Sequence, residues 1–205
     1  SSYRSPDYKG ETDDRGNALA VVSGLASKDK FPALKTLLTT EYHASPYMEK
    51  YVLEALFCMD ATDEALDRIR KRYKTMVEYP GLTTLPENWI DETKQLKPGE
   101  PMINAFWGTY NHGWSGGPLP LLSQKVCGIE PTSPGFRTFR IRPQMGYLKQ
   151  ASCHVSSVSG EISVNIQRKG KKLQIDVTVP SGTTAEVVFP LSLIHISEPT
   201  RRRGI

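Results

Sequence analysis

Between Thr83 and Gly117 a carboxylate, an imidazole and all three tryptophans of the chain fall close together. Glu87 ends the run Thr83-Thr84-Leu85-Pro86-Glu87. His112 sits in Asn111-His112-Gly113-Trp114-Ser115-Gly116-Gly117, and Trp89, Trp107 and Trp114 are spread around the two. A sugar ring has apolar C–H faces and hydroxyl edges, so a site for it needs flat aromatic side chains and fixed polar groups. Cleaving a glycosidic bond needs carboxyl groups as well, usually a pair acting as acid and base or nucleophile. Glu87 is the good candidate here. Taken alone, Glu87 reads more readily as a loop residue capping a helix, and His112 as a satisfied buried histidine; Asn111, Trp114 and the glycines beside His112 bring the site reading level with the bland one there. The Gly116-Gly117 pair lacks the following Lys and preceding strand of a phosphate loop, so close packing of the loop explains it better.

The elements that must position these residues change type along the chain. Residues 1–12 are polar and turn-rich, with no initiating Met, so the chain is expected to open within a longer protein. Asp13 or Asp14 then stands as a helix N-cap, a better reading than sugar contact, ahead of Ala18, Leu19, Val21, Val22 and Leu25. A second helix begins at Pro32. Ser45-Pro46 is a cap with proline at the first helical position, followed by Met48, Tyr51, Val52, Ala55, Leu56 and Met59 at helical spacing, with Leu53 and Phe57 widening the apolar face. The helix from Thr62 to Tyr79 has a narrower stripe (Leu66, Ile69, Tyr73, Met76, Val77). Its charged side, Asp67, Arg68, Arg70, Lys71 and Lys74, predicts a solvated face. Pro98-Gly99 marks a loop from Gln95 to Pro101, and a last helix is predicted from Ser115 or Gly116 to Ile129. Beyond Pro134-Gly135 the apolar period becomes two, in runs around Phe139, Val155, Val164, Val177 and Val187 separated by Ser159-Gly160, Lys169-Gly170 and Ser181-Gly182, which predicts antiparallel strands of a sandwich. A domain boundary is therefore expected near residue 132.

Composition excludes some classes. With 205 residues, 38% hydrophobic and 23% charged, the chain has ordinary globular make-up. Half of its net charge of +4 comes from Glu198 and Arg201 to Arg203, so no nucleic-acid partner is expected. No apolar run reaches the roughly 20 residues that span a bilayer, and no membrane segment is expected. Cys58, Cys127 and Cys153 lack metal-ligand spacing and read as buried thiols. His43, His154 and His195 are given no role. Leu191 to Arg201 resembles the conceptual translation of a sequencing adapter and is expected to lie outside the fold.

The segments Asp13 to Ala20, Ala44 to Leu56, Thr83 to Glu87, Asn111 to Pro118 and Pro134-Gly135-Phe136, in this order, resemble the C-terminal part of bacterial α-L-rhamnosidases of glycoside hydrolase family 78. The resemblance covers residues 1 to about 190. It implies the C-terminal portion of an (α/α)6 six-hairpin barrel over residues 1–131, an antiparallel β-sandwich over 132–190, and an artefactual tail over 191–205. It also implies inverting hydrolysis of terminal rhamnose from glycosides or polysaccharides, with no metal or organic cofactor and carbohydrate as the partner. Glu87 falls on the family's general base and His112 on a histidine that contacts rhamnose; Trp89, Trp107, Trp114 and Asn111 are near the pocket by position. Many relatives have Trp where this chain has Pro86. The general acid is expected upstream, so this chain alone is expected to be inactive, and a periplasmic or secreted setting is implied, with a cytoplasmic one left open. The rivals are a carbohydrate-binding protein without catalysis, disfavoured because the tryptophans all precede residue 132, and another six-hairpin-barrel glycosidase.

Overall fold

In the computed structural model, residues 2–91, 108–170 and 172–189 are described. The expected loop at 95–101, Trp107 and the segment from Leu191 lie outside them. Contacts divide the chain into two units, Ser1–Leu122 and Ser123–Ile205. Residues 123–131, grouped with the helices in the sequence reading, cluster with the strands because Ile129 pairs with Ile141.

The first unit is helical. Helix α1 (Asp14–Val22) is capped by Asp13, whose side chain accepts from the Arg15 backbone N–H at 2.7 Å. Helix α2 (Phe31–Thr40) carries Pro32 in its first turn, where a missing N–H costs nothing, and buries Leu34 and Leu38 completely. Helix α3 (Pro46–Cys58) starts where Ser45 caps the Met48 N–H. Val52, Leu53, Ala55, Leu56 and Phe57 are all buried, wrapping more than half its circumference, and α3 packs against α1, α2, α4 (Thr62–Glu78) and α5 (Pro118–Leu121). Each large side chain so buried contributes roughly 1.5–3 kcal/mol, which makes α3 the centre of the unit.

Helix α4 departs from the sequence reading at two positions. Val77 is exposed rather than in the stripe, and Arg68 is buried rather than on the solvated face. The guanidinium lies between carboxylates of two other helices: Nε donates to Glu49 Oε1 at 2.6 Å, and Nη2 donates to Glu49 Oε2 at 3.0 Å and Asp14 Oδ2 at 2.7 Å. Nη1 donates to the carbonyls of Leu38 and of Glu41, the latter at 2.8 Å. Burial pulls the Arg68 pKa down, but Glu49 and then Asp14 outweigh it and hold it above the ordinary value. Arg72, one turn on, lies 3.5 Å from Glu49 Oε2 and donates to the Ala44 carbonyl at 2.5 Å. These bonds tie α1, the end of α2 and the start of α3 to α4.

The predicted last helix is broken. A 3-10 turn (Gly113–Gly116), the short α5 and a π turn (Leu122–Val126) replace it, and Ile129 belongs to a strand. Pro118 and Pro120 within four residues remove backbone donors that a regular helix would use.

Among the described residues the second unit holds two three-stranded sheets. Strands β3 (Gln150–Ser157), β4 (Gly160–Lys169) and β5 (Lys172–Thr178) form an antiparallel meander, with Cys153 opposite Val164 and Val164 opposite Val177. Central β4 buries Ile162, Val164 and Ile166 on one face. In the other sheet β1 (Ile129–Pro131) is antiparallel to β2 (Thr138–Ile141), but β6 (Thr184–Val187) pairs with β2 in parallel. The expected wholly antiparallel arrangement fails at that one pair, where β6, which follows the meander in the chain, runs in the same direction as β2. Phe139, Ile141 and Ile129 fill this sheet's core. Cys127 is buried, and burial, with Cys153 beside it, pushes its thiol up to about 12. Cys153 is half-buried, whereas Cys58 is exposed at the end of α3, contrary to expectation.

Candidate active site

Two loop segments lie side by side and build the site. Glu87 N–H donates to the Thr109 carbonyl and His112 N–H to the Leu85 carbonyl, each at 2.9 Å. Thr84 Oγ1 donates to the Tyr110 carbonyl at 2.5 Å, and the fully buried Ser115 hydroxyl donates to the Pro86 carbonyl at 2.6 Å. The fixed ring of Pro86 and the short bond from Ser115 pin the backbone directly before Glu87. Trp114 Nε1 donates to the Glu87 carbonyl at 3.3 Å, fixing the backbone on its other side.

Among the described residues the Glu87 carboxylate is held through Oε2. Oε2 accepts from Thr109 N–H at 3.0 Å and from Thr109 Oγ1 at 3.3 Å. The same hydroxyl lies 2.8 Å from His112 Nδ1, and Nδ1 is 3.6 Å from Oε2. A carboxylate can only accept, so the Thr109 hydroxyl proton serves Glu87 and His112 Nδ1 must donate to that hydroxyl if both contacts are filled. In the neutral imidazole that leaves His112 Nε2 as an acceptor. The side chains of Glu87 and His112 are 21% and 30% exposed, enough for both to meet a ligand or water.

Gly108 is what lets the chain pass this close. Its φ is +109°, and a Cβ there would lie 2.7 Å from Glu87 Oε2 and 2.9 Å from Asn88 Nδ2. Only a residue without a side chain serves at that conformation and that distance.

The structure brings Glu87, His112 and Trp114 together, the last two with ring centroids 3.9 Å apart. Asn111 is exposed next to His112. Trp89 makes its contacts elsewhere: Nε1 donates to the Ala44 carbonyl at 2.8 Å, its ring meets Tyr73 edge-on at 5.1 Å, and the Arg72 guanidinium lies over it at 4.1 Å. Asp14 belongs to the buried charge cluster around Arg68. The sequence analysis did not single out Thr109 as the partner of the carboxylate. The signal was Gly108-Thr109, which precedes the His112 motif by only a few residues.

Trp114 also lines a groove of about 280 Å³, with Tyr47, Lys50, Tyr51, Pro120 and the glycines of the loop. The Tyr47 and Trp114 rings are 5.3 Å apart. A Cβ on Gly117 would meet Lys50 Cβ at 2.7 Å, so the missing side chain is what seats this loop on α3.

Comparison with known proteins gives the frame for this geometry. Residues 128–201 match the family model of the bacterial α-L-rhamnosidase C-terminal domain. An α-L-rhamnosidase of Streptomyces avermitilis is 28% identical over 133 residues, which are 63% of this chain and 12% of that protein. The structure of the Streptomyces avermitilis α-L-rhamnosidase complexed with L-rhamnose matches 90% of this chain and 19% of its own, with a TM-score of 0.69 and 25% identity. The family 78 rhamnosidase of Bacillus sp. GL1 has the same fold over 85% of this chain and 20% of its own, with a TM-score of 0.64 and 23% identity. The chain thus spans about an eighth of the length of that relative, the 12% just given. The resemblance to the C-terminal part of glycoside hydrolase family 78 α-L-rhamnosidases, carried first by the motifs, holds in both sequence and fold.

Proposed function

We propose that the protein carrying this chain is an α-L-rhamnosidase that hydrolyses terminal rhamnose with inversion, and that Glu87 is its general base. The helical unit is then the last part of an (α/α)6 barrel. One observation carries the reading: a partly exposed carboxylate whose Oε2 is anchored by Thr109 and which is flanked by His112 and Trp114. Anchoring Oε2 fixes the direction of the other oxygen, which is what a base needs in order to take a proton from one particular water. Such a base acts as the carboxylate, and Thr109 N–H and Oγ1 both donate to it.

In an inverting enzyme the water attacks the anomeric carbon from the side opposite the leaving group, between two carboxyls about 6.5–9.5 Å apart. The second carboxyl, the acid, belongs to the part of the protein that precedes this chain. Neutral His112, with Nε2 as an acceptor, takes a hydrogen bond from a hydroxyl of the sugar. Trp114 lends an apolar face.

Glu87→Gln keeps the shape but removes the proton acceptor. In the complete enzyme kcat should fall by about 10²- to 10⁴-fold, the usual worth of a positioned base, while KM moves little. NMR of the first sugar released should show the inverted anomer. Near-normal turnover in the Gln variant, or a retained anomer, would end the proposal.

A further inference from the structure

Neither Cys127 nor Cys153 has a part in the chemistry at Glu87, yet the fold of the second unit brings the two together. Cys127 follows the π turn and stands just before β1, in one sheet; Cys153 is in β3, in the other. Along the meander Ala151 lies opposite Ile166, Cys153 opposite Val164 and Val155 opposite Ile162. Directly opposed residues of an antiparallel pair share a face. Ile162, Val164 and Ile166 are all buried, so Cys153 belongs to the core face of its sheet. Cys127 is only 4% exposed, and its thiol is in side-chain hydrogen-bond contact with the thiol of Cys153.

The backbone is held on both sides of Cys127. Gln144 N–H donates to the Lys125 carbonyl at 2.9 Å, and Arg142 N–H to the Gly128 carbonyl at 3.0 Å. Gly128 has a φ of +80°, and a Cβ there would lie 2.3 Å from the Arg142 carbonyl carbon, so the two segments run against each other with no room between. On the other side, the register with β4 fixes Cys153. The meeting of the two thiols is therefore a property of the fold and not of mobile side chains on a surface.

We propose that Cys127 and Cys153 are a modification site at which a disulfide cross-links the segment before β1 to β3, and with it the two sheets of the unit, when the protein meets a small-molecule disulfide such as oxidised glutathione. The half-buried Cys153 reacts first. Its thiolate attacks one sulfur of the glutathione disulfide, and one glutathione leaves as a thiolate that takes up a proton. Cys127 then gives its proton to water and its sulfur attacks that of Cys153, expelling the second glutathione. Two protein thiols are oxidised and one disulfide is reduced to two thiols. Burial pushes the Cys127 thiol up to about 12, so its thiolate is scarce at neutral pH and the second step quickens as pH rises. The bond closes the loop from Gly128 to Ser152, which constrains the unfolded chain and stabilises the folded one.

The test uses the complete protein, reduced, then incubated with oxidised glutathione at mildly alkaline pH. Remaining thiols are alkylated with iodoacetamide in denaturant, and the peptides are mapped by mass spectrometry without reduction. Alkylated Cys127 and alkylated Cys153 should be lost in equal amounts, replaced by one linked peptide pair that dithiothreitol abolishes. Cys58→Ser should leave that pair unchanged, whereas Cys153→Ser should remove it and leave Cys127 fully alkylated. Three outcomes overturn the proposal: both cysteines still alkylated after the incubation, Cys153 carrying glutathione while Cys127 remains alkylated, or either of them joined to Cys58 instead. None of these readings depends on a variant that has to fold, because the unaltered protein supplies them.

Discussion

Replacing Arg68 by Met is the sharpest test of how the helical unit is held. Met fills much of the same space, so the change removes charge and donors more than volume. In the parent, the buried carboxylates of Asp14 and Glu49 face the cations of Arg68 and Arg72. Without Arg68, two carboxylates remain against the single guanidinium of Arg72, whose pKa burial already lowers. Removing one partner of a buried ion pair costs about 3–5 kcal/mol because the other charge stays buried. The carbonyls of Leu38 and Glu41 lose their donor too, at about 1–3 kcal/mol for each that water cannot reach. A loss of at least about 4 kcal/mol is expected. In a chain of 205 residues that lowers Tm by about 8–16 °C. Equilibrium urea unfolding of parent and variant gives the difference directly, and adding Glu49→Gln to Arg68→Met should recover part of it by removing the stranded charge. A cost below about 1 kcal/mol, the level of a solvated surface arginine, would refute the buried cluster and restore the exposed charged face that the sequence suggests.

Three further outcomes are expected. Gly108→Ala places a methyl 2.7 Å from Glu87 Oε2 at a φ of +109°, so the carboxylate must move; kcat should fall at least about 10-fold with a stability loss of about 1–3 kcal/mol, and parent-like turnover would contradict the geometry. Iodoacetamide at pH 8 should label exposed Cys58 first, while Cys127, buried and pushed up to about 12, reacts only on unfolding; peptide mass spectrometry reads the order. The bond to the Arg15 side chain holds the Asp13 carboxyl below its ordinary value, so its contribution is full above that value and is lost as pH falls through the lowered one. The stability gap between parent and Asp13→Asn should be constant above about pH 5 and close in acid.

Local signals in the sequence were enough for the helix starts. Asp13, Pro32 and Ser45-Pro46 each act on the turn that follows, and α1, α2 and α3 begin there. Alternation and Gly-containing turns likewise place β3, β4 and β5. What escaped was set by partners far along the chain. Arg68 looks like its neighbours Arg70 and Lys71 until Asp14, 54 residues away, is folded against it. Thr109 meets Glu87 across 22 residues, and Trp89 is drawn to the Ala44 carbonyl across 45. Neither period nor propensity carries such pairings; Glu87, His112 and Trp114 were legible as a group because chemistry, not periodicity, singled them out.

The parallel pairing of β6 with β2 bears on the order of folding. Strands β3, β4 and β5 meet across tight turns, Ser157 opposite Gly160 and Lys169 opposite Lys172, and hairpins of this kind form in about 1–10 μs. Arg140 and Glu186 face each other across 46 residues. That separation spans the whole meander, and an open chain of such length closes against a larger entropy cost than either hairpin. Collapsing the meander first shortens the gap that β6 must bridge. The nucleus of this unit is therefore expected in β3–β5, with Ile162, Val164 and Ile166 joining early. The N–H groups of Thr184 and Val188, which donate to the carbonyls of Arg137 and Ile141, join last. A substitution in β4 should slow folding, whereas one in β6 should mainly hasten unfolding.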